Sequence, residues 1–285
     1  MSGVQFELTR EAENFAARAE RFLAARIERN VLATVLVNVR SGRFASGDPL
    51  FACGIDDRGE LRAVALRTPP WPLLATDIEA SDAETLLDTW LREDPAPPGV
   101  NGQPVTARAI AAAWTARTGG RTSLRMREAM HVLEKVCDPP RRAPGQLRPA
   151  HPTERDLLAH WMRAFAKETG VLGGDQAADI VDAQLSRDRL FVWDDNGPVS
   201  MVSISPTVAG VTRLGPVYTP TERRRRGYAS SAVAATSRRA LTAGAERCAL
   251  FTDLANPTSN KIYADVGYRR LADWEEHAFE HSETA

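Results

Sequence analysis

A proline-rich interruption near the middle of the chain is the sequence feature that most restricts its fold. Residues 137–146 contain three prolines and one glycine within ten positions. Proline has no backbone N–H to donate and a fixed φ, so this segment can continue neither a helix nor a central strand. The sequence therefore predicts two domains, residues 1–138 and 147–285, joined by a linker at 139–146. Each half is long enough to bury a core of its own.

The carboxyl-terminal half alternates between strand and helix patterns. Its first helix has Thr153 as N-cap and apolar residues at helical spacing from Leu157 to Phe165. The predicted strands are 147–149, 190–193, 199–205, 211–219, 248–253 and 268–279, and the predicted helices begin near 153, 175, 227 and 257. This order is that of an α/β (α+β) domain with a mixed sheet.

The amino-terminal half shows a similar but less distinct order. The predicted helices are 11–29, 83–92 and 105–117, the predicted strands are 32–39, 50–55, 61–68 and 73–78, and 123–136 is extended. The similarity lies in the order of elements alone, because the residues of the two halves do not match. We interpret the chain as a diverged tandem duplication.

The most informative run of the chain is residues 214–231. An apolar strand ends at Pro220, four consecutive arginines occupy 223–226, and Gly227 opens a helix of small residues. The first turn of a helix has unpaired N–H groups and the positive end of the helix dipole, which together favour an anion. The run therefore predicts a phosphate-binding corner at Gly227.

Two other interpretations of the arginines stay open at this point. Most charge runs are solvated surface, and a basic patch can also contact nucleic acid. The net charge is -1, so the chain as a whole has no basic bias. Stacking aromatics that would accompany a nucleic-acid surface are not apparent in the sequence, and we rank this interpretation below phosphate binding.

The segment from Arg224 to Ala229 resembles the Gln/Arg-x-x-Gly-x-Gly/Ala motif of the GNAT acetyltransferases. The resemblance implies that this turn binds the pyrophosphate of acetyl-CoA, and that the preceding strand pairs with the pantetheine arm where it splays from its neighbour at Gly215-Pro216. Arg225 departs from the family pattern, in which glycine is common. The implied cofactor-binding residues are Val217, Tyr218, Thr219, Arg224, Arg225, Arg226, Gly227, Tyr228, Ala229 and Ser230.

A second motif runs from Leu250 to Tyr268 and resembles the GNAT segment beside the thioester. Asn256 is an N-cap, and Asn256, Asn260 and Tyr263 can share one helix face. The resemblance implies that Tyr263 is the general acid and that both asparagines help to bind the cofactor. An unperturbed tyrosine has a pKa of about 10, above the roughly 8.5 of a thiol, so its hydroxyl is protonated at neutral pH. Packing is the alternative role for such a tyrosine.

Other parts of the chemistry are less clear from the sequence. The backbone N–H near Val217 would polarise the thioester carbonyl. No general base stands out, and Glu168, Glu222 and Asp253 are candidates by neighbourhood only. In the amino-terminal half, carboxylates follow strand 73–78 where the arginines would be, so we expect that half to be noncatalytic.

The resemblance implies a GNAT fold, with a mixed, mostly antiparallel and splayed central sheet flanked by helices, in a tandem arrangement. It also implies an acetyl-CoA-dependent N-acetyltransferase acting on an amine of a small molecule or peptide. The alternative is a noncatalytic acyl-CoA-binding sensor or a structural pseudoenzyme. In either case we expect a monomer or homodimer that binds neither nucleic acid nor membrane.

Composition and histidine spacing add expectations about metals and location. The three cysteines lie far apart, and His277 and His281 lack a third ligand, so we expect no metal site. Glu7, Glu11 and Glu13 stand where a signal peptide would be basic and apolar, which favours a cytoplasmic protein.

Overall fold

The computed structural model describes residues 3–42, 47–171 and 173–280. The chain divides into two compact units. The amino-terminal unit comprises Met1–Ala129 and Ala272–Ala285, and the carboxyl-terminal unit comprises Met130–Leu271. This division differs from the expected boundaries at 138 and 147, because the chain changes unit within two strands and not at the prolines.

The amino-terminal unit contains a mixed sheet and helices. Its helices are α1 (Ala12–Ala24), α2 (Asn30–Arg40), α3 (Ala80–Glu93) and α4 (Pro104–Thr118), and its strands are β1 (Gln5–Thr9), β2 (Leu50–Ile55), β3 (Leu61–Arg67), β4 (Leu73–Thr76), β5 (Gly99–Gly102) and the first part of β6 (Arg121–Leu133). Antiparallel pairing joins β1, β2, β3 and β4, and β4 pairs with β5 in parallel. Its core surrounds Trp90 and Trp114, both fully buried.

The carboxyl-terminal unit repeats this order of elements. Its helices are α5 (Arg155–Thr169), α6 (Ala177–Leu185), α7 (Tyr228–Thr242) and α8 (Pro257–Val266), and its strands are β7 (Gln146–Pro149), β8 (Leu190–Asp194), β9 (Pro198–Ile204), β10 (Val211–Tyr218), β11 (Arg247–Asp253) and the start of β12 (Arg269–Glu280). Strands β7 to β10 pair antiparallel, and β10 pairs with β11 in parallel. In both sequence halves the order is β-α-α-β-β-β-α-β-α-β, which is the expected duplication.

The final strand is not paired as a simple duplication predicts. Residues Glu275 to Ala278 of β12 pair antiparallel with Gly102 to Gly99 of β5, inside the amino-terminal unit. A Cβ atom at Gly99 would lie 2.2 Å from the carbonyl oxygen of His277, so this pairing requires glycine. The sequence pattern missed β5 because two of its four residues are glycines, which are depleted in strands.

The strand predicted at 32–39 is wrong, because these residues belong to helix α2. Val31, Leu32, Ala33 and Leu36 are all buried, so the helix is apolar around most of its circumference. A short, continuous apolar run gives no helical period and resembles a buried strand.

Two apolar clusters cover opposite faces of the carboxyl-terminal sheet. On β9, Val202 belongs to the cluster formed with α7 and α8, whereas its neighbour Met201 belongs to the cluster formed with α5 and α6. Consecutive strand residues point to opposite faces, so the sheet lies between the two helix pairs. This arrangement places the start of α7 after the end of β10.

Candidate active site

Strand β10 separates from β11 halfway along its length. Parallel pairing joins Val211, Thr212 and Arg213 to Arg247, Cys248 and Ala249, and it stops there. Both strands continue beyond this point, β10 to Tyr218 and β11 to Asp253. The unpaired parts therefore leave a slot between two strands of the sheet.

The distortion of β10 lies at Gly215-Pro216, where the sequence placed it. Leu214 pairs with Ile204 and Val217 with Val202, so three steps on β10 face two on β9. The Gly215-Pro216 peptide is cis, and Gly215 has φ +135°. Such a bulge bends a strand and re-aims the residues after it.

The side chains after the bulge are tied into the protein, so any ligand contact from this strand would come from its backbone. Val217 packs against the apolar cluster of α7 and α8. Tyr218 is buried, and its hydroxyl donates to Glu168 Oε1 at 3.0 Å. Thr219 Oγ1 lies 2.8 Å from Ser200 Oγ. Burial raises the pKa of Tyr218, and the Glu168 carboxylate raises it further.

The turn between β10 and α7 ends on Gly227, whose geometry requires glycine. Its φ is +82°, in the left-handed region. A Cβ atom would lie 3.1 Å from the carbonyl oxygen of Arg141 and 3.8 Å from Ala143. Residues 141–143 therefore pack directly against this corner, where Ala143 N–H donates to Ser231 Oγ at 2.9 Å.

Arg225 also has a left-handed backbone, with φ +63°. An L-residue with a long side chain is strained there, whereas glycine is not. This conformation explains physically why glycine is common at this position in the family pattern. Arg225 is exposed, as are its neighbours Arg223, Arg224 and Arg226.

The start of α7 has the features of an anion site. Helix geometry leaves the N–H groups of Tyr228, Ala229 and Ser230 without carbonyl partners in their own helix. Ala229 and Ser230 are half-buried and have small side chains, so a ligand can approach their backbone closely. The exposed arginines add positive charge. The corner can hold a phosphate.

Tyr228 and Arg224 hold the corner in shape. The Tyr228 hydroxyl donates to Asp195 Oδ2 at 2.5 Å, and this carboxylate raises the pKa of the buried tyrosine. Arg224 donates from Nε to Thr219 O at 2.9 Å and from Nη2 to Glu168 Oε2 at 2.5 Å. The Arg224 guanidinium is therefore not pointed freely into solvent.

Helix α8 follows β11 directly and carries the second group of predicted residues. Asn256 Oδ1 accepts from Ser259 N–H at 3.0 Å, so this side chain is the N-cap. Asn260 Nδ2 donates to the carbonyl oxygens of Asp253 at 3.1 Å and Asn256 at 2.9 Å, which fixes the turn from strand to helix. The Asn260 Oδ1 atom is buried and accepts no hydrogen bond within the described ranges. It can accept one from a ligand.

Tyr263 is largely buried, with 9% of its surface exposed. Its ring contacts that of Tyr268 edge to face, with centroids 6.0 Å apart. No residue that the structure describes forms a hydrogen bond with the Tyr263 hydroxyl, whereas Tyr268 Oη lies 2.8 Å from Ser237 Oγ. Burial raises the pKa of Tyr263 to about 12. Its hydroxyl is thus a protonated donor that lacks a partner among the described residues.

The structure separates the roles of the candidate bases. Glu168 is engaged by Tyr218 and Arg224. Asp253 Oδ1 accepts from Ala255 N–H at 2.8 Å and so caps a turn. Glu222 is exposed. These contacts do not mark any of the three as a base.

The corresponding corner of the amino-terminal unit has the opposite charge. Only residues 77–79 separate β4 from α3, and Asp77 accepts from Arg29 Nε at 2.8 Å and from Arg26 Nη1 at 3.1 Å. Strand β4 pairs with β5 as far as Ala75, next to its end at Thr76. The adjacent cavity of about 520 Å³ is lined by Val4, Phe22, Arg29, Asp56, Leu61, Arg62, Asp77, Glu79 and Asp82. Its four carboxylates against two guanidinium groups disfavour a diphosphate.

The described residues contain neither a candidate metal site nor a candidate membrane span. In ranges 3–42, 47–171 and 173–280, no group of three or more His, Cys, Asp or Glu residues could hold a metal ion. His281 lies outside the described residues. Within the same ranges, no helix has the length and apolar character needed to cross a bilayer.

The sequence patterns do not predict the partners of these residues. They indicate Glu168 only as a candidate base and give no role to Asp195. No local pattern could reveal that Glu168 meets Arg224, 56 positions later, or that Asp195 meets Tyr228, 33 positions later. Such contacts depend on how α5 and the β8–β9 hairpin pack on the sheet.

Comparison with known proteins agrees with this geometry. The model of the acetyltransferase (GNAT) family matches residues 156–268. Similar solved structures include a GNAT acetyltransferase from Colwellia psychrerythraea, with a TM-score of 0.59, 11% identity, and coverage of 98% of this chain and 100% of that one. A tandem GNAT protein of the clavulanic acid biosynthesis pathway has a TM-score of 0.61 and 12% identity, covering 96% of this chain and 98% of that one. A GCN5-related N-acetyltransferase from Kribbella flavida has a TM-score of 0.58 and 17% identity, covering 78% and 88%.

Among curated protein sequences, none matches this chain significantly. The structural similarities, at these low identities, show the fold alone. They extend over both halves of the chain and confirm the expected tandem GNAT fold. The family match over residues 156–268 lies within the carboxyl-terminal half, which is therefore similar to the GNAT acetyltransferases in sequence as well as in fold.

Proposed function

We propose that this protein is an acetyl-CoA-dependent N-acetyltransferase whose acceptor is an amine of a small molecule or peptide. The observation that carries this proposal is the separation of β10 from β11 beyond Arg213, which opens a slot leading toward the start of α7. A slot with backbone groups along one wall and an anion-binding helix start at its end fits a long thiol ester that ends in a diphosphate.

The residues present fit such a ligand at both ends of the slot. At the α7 end, Ala229 and Ser230 offer unpaired N–H groups. At the α8 end, within the part of the chain that the structure describes, Asn260 Oδ1 is a buried acceptor without a partner and the Tyr263 hydroxyl is a donor without one. The bound thioester would supply the activated acyl group, and the protein supplies positioning and proton control.

Tyr263 would stabilise the leaving thiolate mainly by donating a hydrogen bond to its sulfur. Its pKa of about 12 exceeds the roughly 8.5 of a thiol by about 3.5 units, so complete proton transfer would be uphill by about 5 kcal/mol. The proton therefore remains on the tyrosine oxygen, and its hydrogen bond stabilises the negative charge that develops on the sulfur. The N–H groups after the bulge, near Val217, would polarise the acyl carbonyl.

The amino-terminal unit would take no part in acyl transfer. The Asp77 carboxylate stands where the carboxyl-terminal unit has arginines, and β4 stays paired with β5. We assign this unit a noncatalytic role beside a cytoplasmic enzyme domain that needs no metal, and we propose a monomer or homodimer that binds neither nucleic acid nor membrane.

The burial of Tyr263 favours a second candidate function, an acyl-CoA-binding sensor without turnover. One experiment separates the two. Purified protein is incubated with acetyl-CoA and a panel of amines, and free thiol release is followed together with the melting temperature. An enzyme gives both a rise in Tm and thiol release with at least one amine. A sensor gives the rise alone, and the absence of both overturns cofactor binding itself.

A further inference from the structure

Glu168 connects helix α5 to the turn that precedes α7. It lies in the last turn of α5, where Oε1 accepts from the Tyr218 hydroxyl at 3.0 Å. Its other oxygen, Oε2, accepts from Arg224 Nη2 at 2.5 Å. One carboxylate thus contacts the end of β10 and an arginine of the proposed diphosphate site.

Arg224 is folded back along its own turn. Its Nε donates to Thr219 O at 2.9 Å, and its guanidinium carbon lies 5.7 Å from the centroid of the Tyr218 ring. One N–H of this arginine therefore donates to a carbonyl and another to a carboxylate, so part of its donor capacity is already used within the protein. Within the part of the chain that the structure describes, Glu168 is its ion-pair partner.

The Glu168–Arg224 pair is weak enough to be exchanged. The two side chains are 42% and 41% exposed, and ion pairs of such exposure shift an equilibrium by no more than about fivefold. A diphosphate offers more negative charge and several oxygens, to which a guanidinium can bind through two N–H groups. A diphosphate in the adjacent corner would therefore outcompete the carboxylate.

We propose that Glu168 binds the Arg224 guanidinium in the free protein and that the diphosphate of the cofactor replaces Glu168 as the partner of this guanidinium. Glu168 is then a positioning residue that lowers the affinity for the diphosphate in exchange for an ordered turn in the free protein. This inference rests on the proposed binding of a coenzyme A derivative. After the exchange, Glu168 still accepts from Tyr218, so α5 remains attached to β10.

The test is the affinity of coenzyme A for Glu168→Gln, measured by isothermal titration. Glutamine keeps an acceptor oxygen for Tyr218 and removes the charge that retains Arg224. We expect Kd to fall about two- to fivefold, which is the cost of breaking the exposed pair. Pantetheine has no diphosphate, and its affinity should not change.

The matched control is Glu222→Gln. Glu222 lies in the same turn, is exposed, and makes no ion pair or hydrogen bond within the described residues. Both variants remove one negative charge near the corner, so general electrostatics would tighten binding equally in the two. The proposal requires a larger effect at Glu168, which disappears when Arg224→Gln is also present.

The outcomes are distinct. The proposed exchange of Arg224 between Glu168 and the diphosphate is overturned if Glu168→Gln binds coenzyme A equally or more weakly, or if the effect persists in the Arg224→Gln background. Either result leaves cofactor binding itself intact. If the unchanged protein does not bind coenzyme A, the proposed function fails as well. An equal gain for pantetheine would show that Glu168 acts on the slot and not on the diphosphate.

Discussion

Two tyrosines in edge-to-face contact allow a sharp test of the proposed chemistry. The Tyr263 hydroxyl has no hydrogen-bond partner among the described residues, whereas Tyr268 Oη lies 2.8 Å from Ser237 Oγ. Both rings belong to the same apolar cluster, and phenylalanine keeps either ring in place. The two Tyr→Phe variants therefore remove the same atom from different surroundings.

The structure sets opposite expectations for the two variants. Tyr268→Phe leaves the buried Ser237 hydroxyl without its partner and should lower the free energy of unfolding by about 1–2 kcal/mol, with turnover kept. Tyr263→Phe removes a hydroxyl that forms no hydrogen bond with any described residue, so the free energy of unfolding should change by less than about 0.5 kcal/mol. Its turnover should fall by about 100-fold or more, because a positioned hydrogen-bond donor to a developing negative charge contributes on that scale.

Two measurements suffice for this comparison. Urea denaturation gives the free energy of unfolding, and thiol release from acetyl-CoA gives kcat with an accepted amine. A Tyr263→Phe variant that keeps its turnover would show that the Tyr263 hydroxyl has no role in acyl transfer. The same conclusion follows if Tyr263→Phe and Tyr268→Phe lose equal amounts of stability and equal amounts of activity. A large loss of acetyl-CoA affinity in Tyr263→Phe would instead indicate a binding role.

Two further predictions concern stability. The Arg108 guanidinium, which binds Glu275 at 2.6 Å, and His277 hold the pKa of Glu275 at about 2, below its usual 4.5. The Glu275 carboxylate therefore stabilises the fold above pH 4.5 by up to about 3 kcal/mol, and this contribution is lost as the pH falls toward 2. Glu275→Gln should make the urea midpoint less dependent on pH across this range, and an unchanged pH profile would contradict the assignment. In the turn between β10 and α7, Arg225→Gly removes the strain of a left-handed backbone at residue 225, whereas Arg226→Gly does not. The Arg225→Gly variant should therefore be more stable than Arg226→Gly by about 1 kcal/mol. Equal stabilities of the two variants would argue against strain at Arg225.

Local sequence patterns were sufficient where the physical signal is local. The strand, the turn and the helix around Gly227 could be predicted because they follow one another in sequence, and the N-cap at Asn256 needs only its own helix. The distortion at Gly215-Pro216 was likewise predictable, since proline cannot donate within a sheet ladder.

Features that depend on packing were beyond the sequence. Helix α2 was mistaken for a strand because it is buried on most of its surface. The pairing of β12 with β5 places the carboxyl-terminal strand in the amino-terminal unit, which no pattern near residue 275 indicates. The contact of Glu168 with Arg224 joins residues far apart in sequence and changes the interpretation of both.

The most direct test of the account is coenzyme A binding at the start of α7, measured by isothermal titration on three proteins. Ala229 lies in the first turn, where a glutamate suits the helix dipole, so Ala229→Glu should fold normally while placing a carboxylate in the diphosphate site. Ala229→Gln is the neutral control of equal size. We expect binding heat for the unchanged protein and for Ala229→Gln, and at least tenfold weaker binding for Ala229→Glu. Equal affinity in the glutamate and glutamine variants, or no heat from the unchanged protein, would show that the diphosphate does not bind at the start of α7.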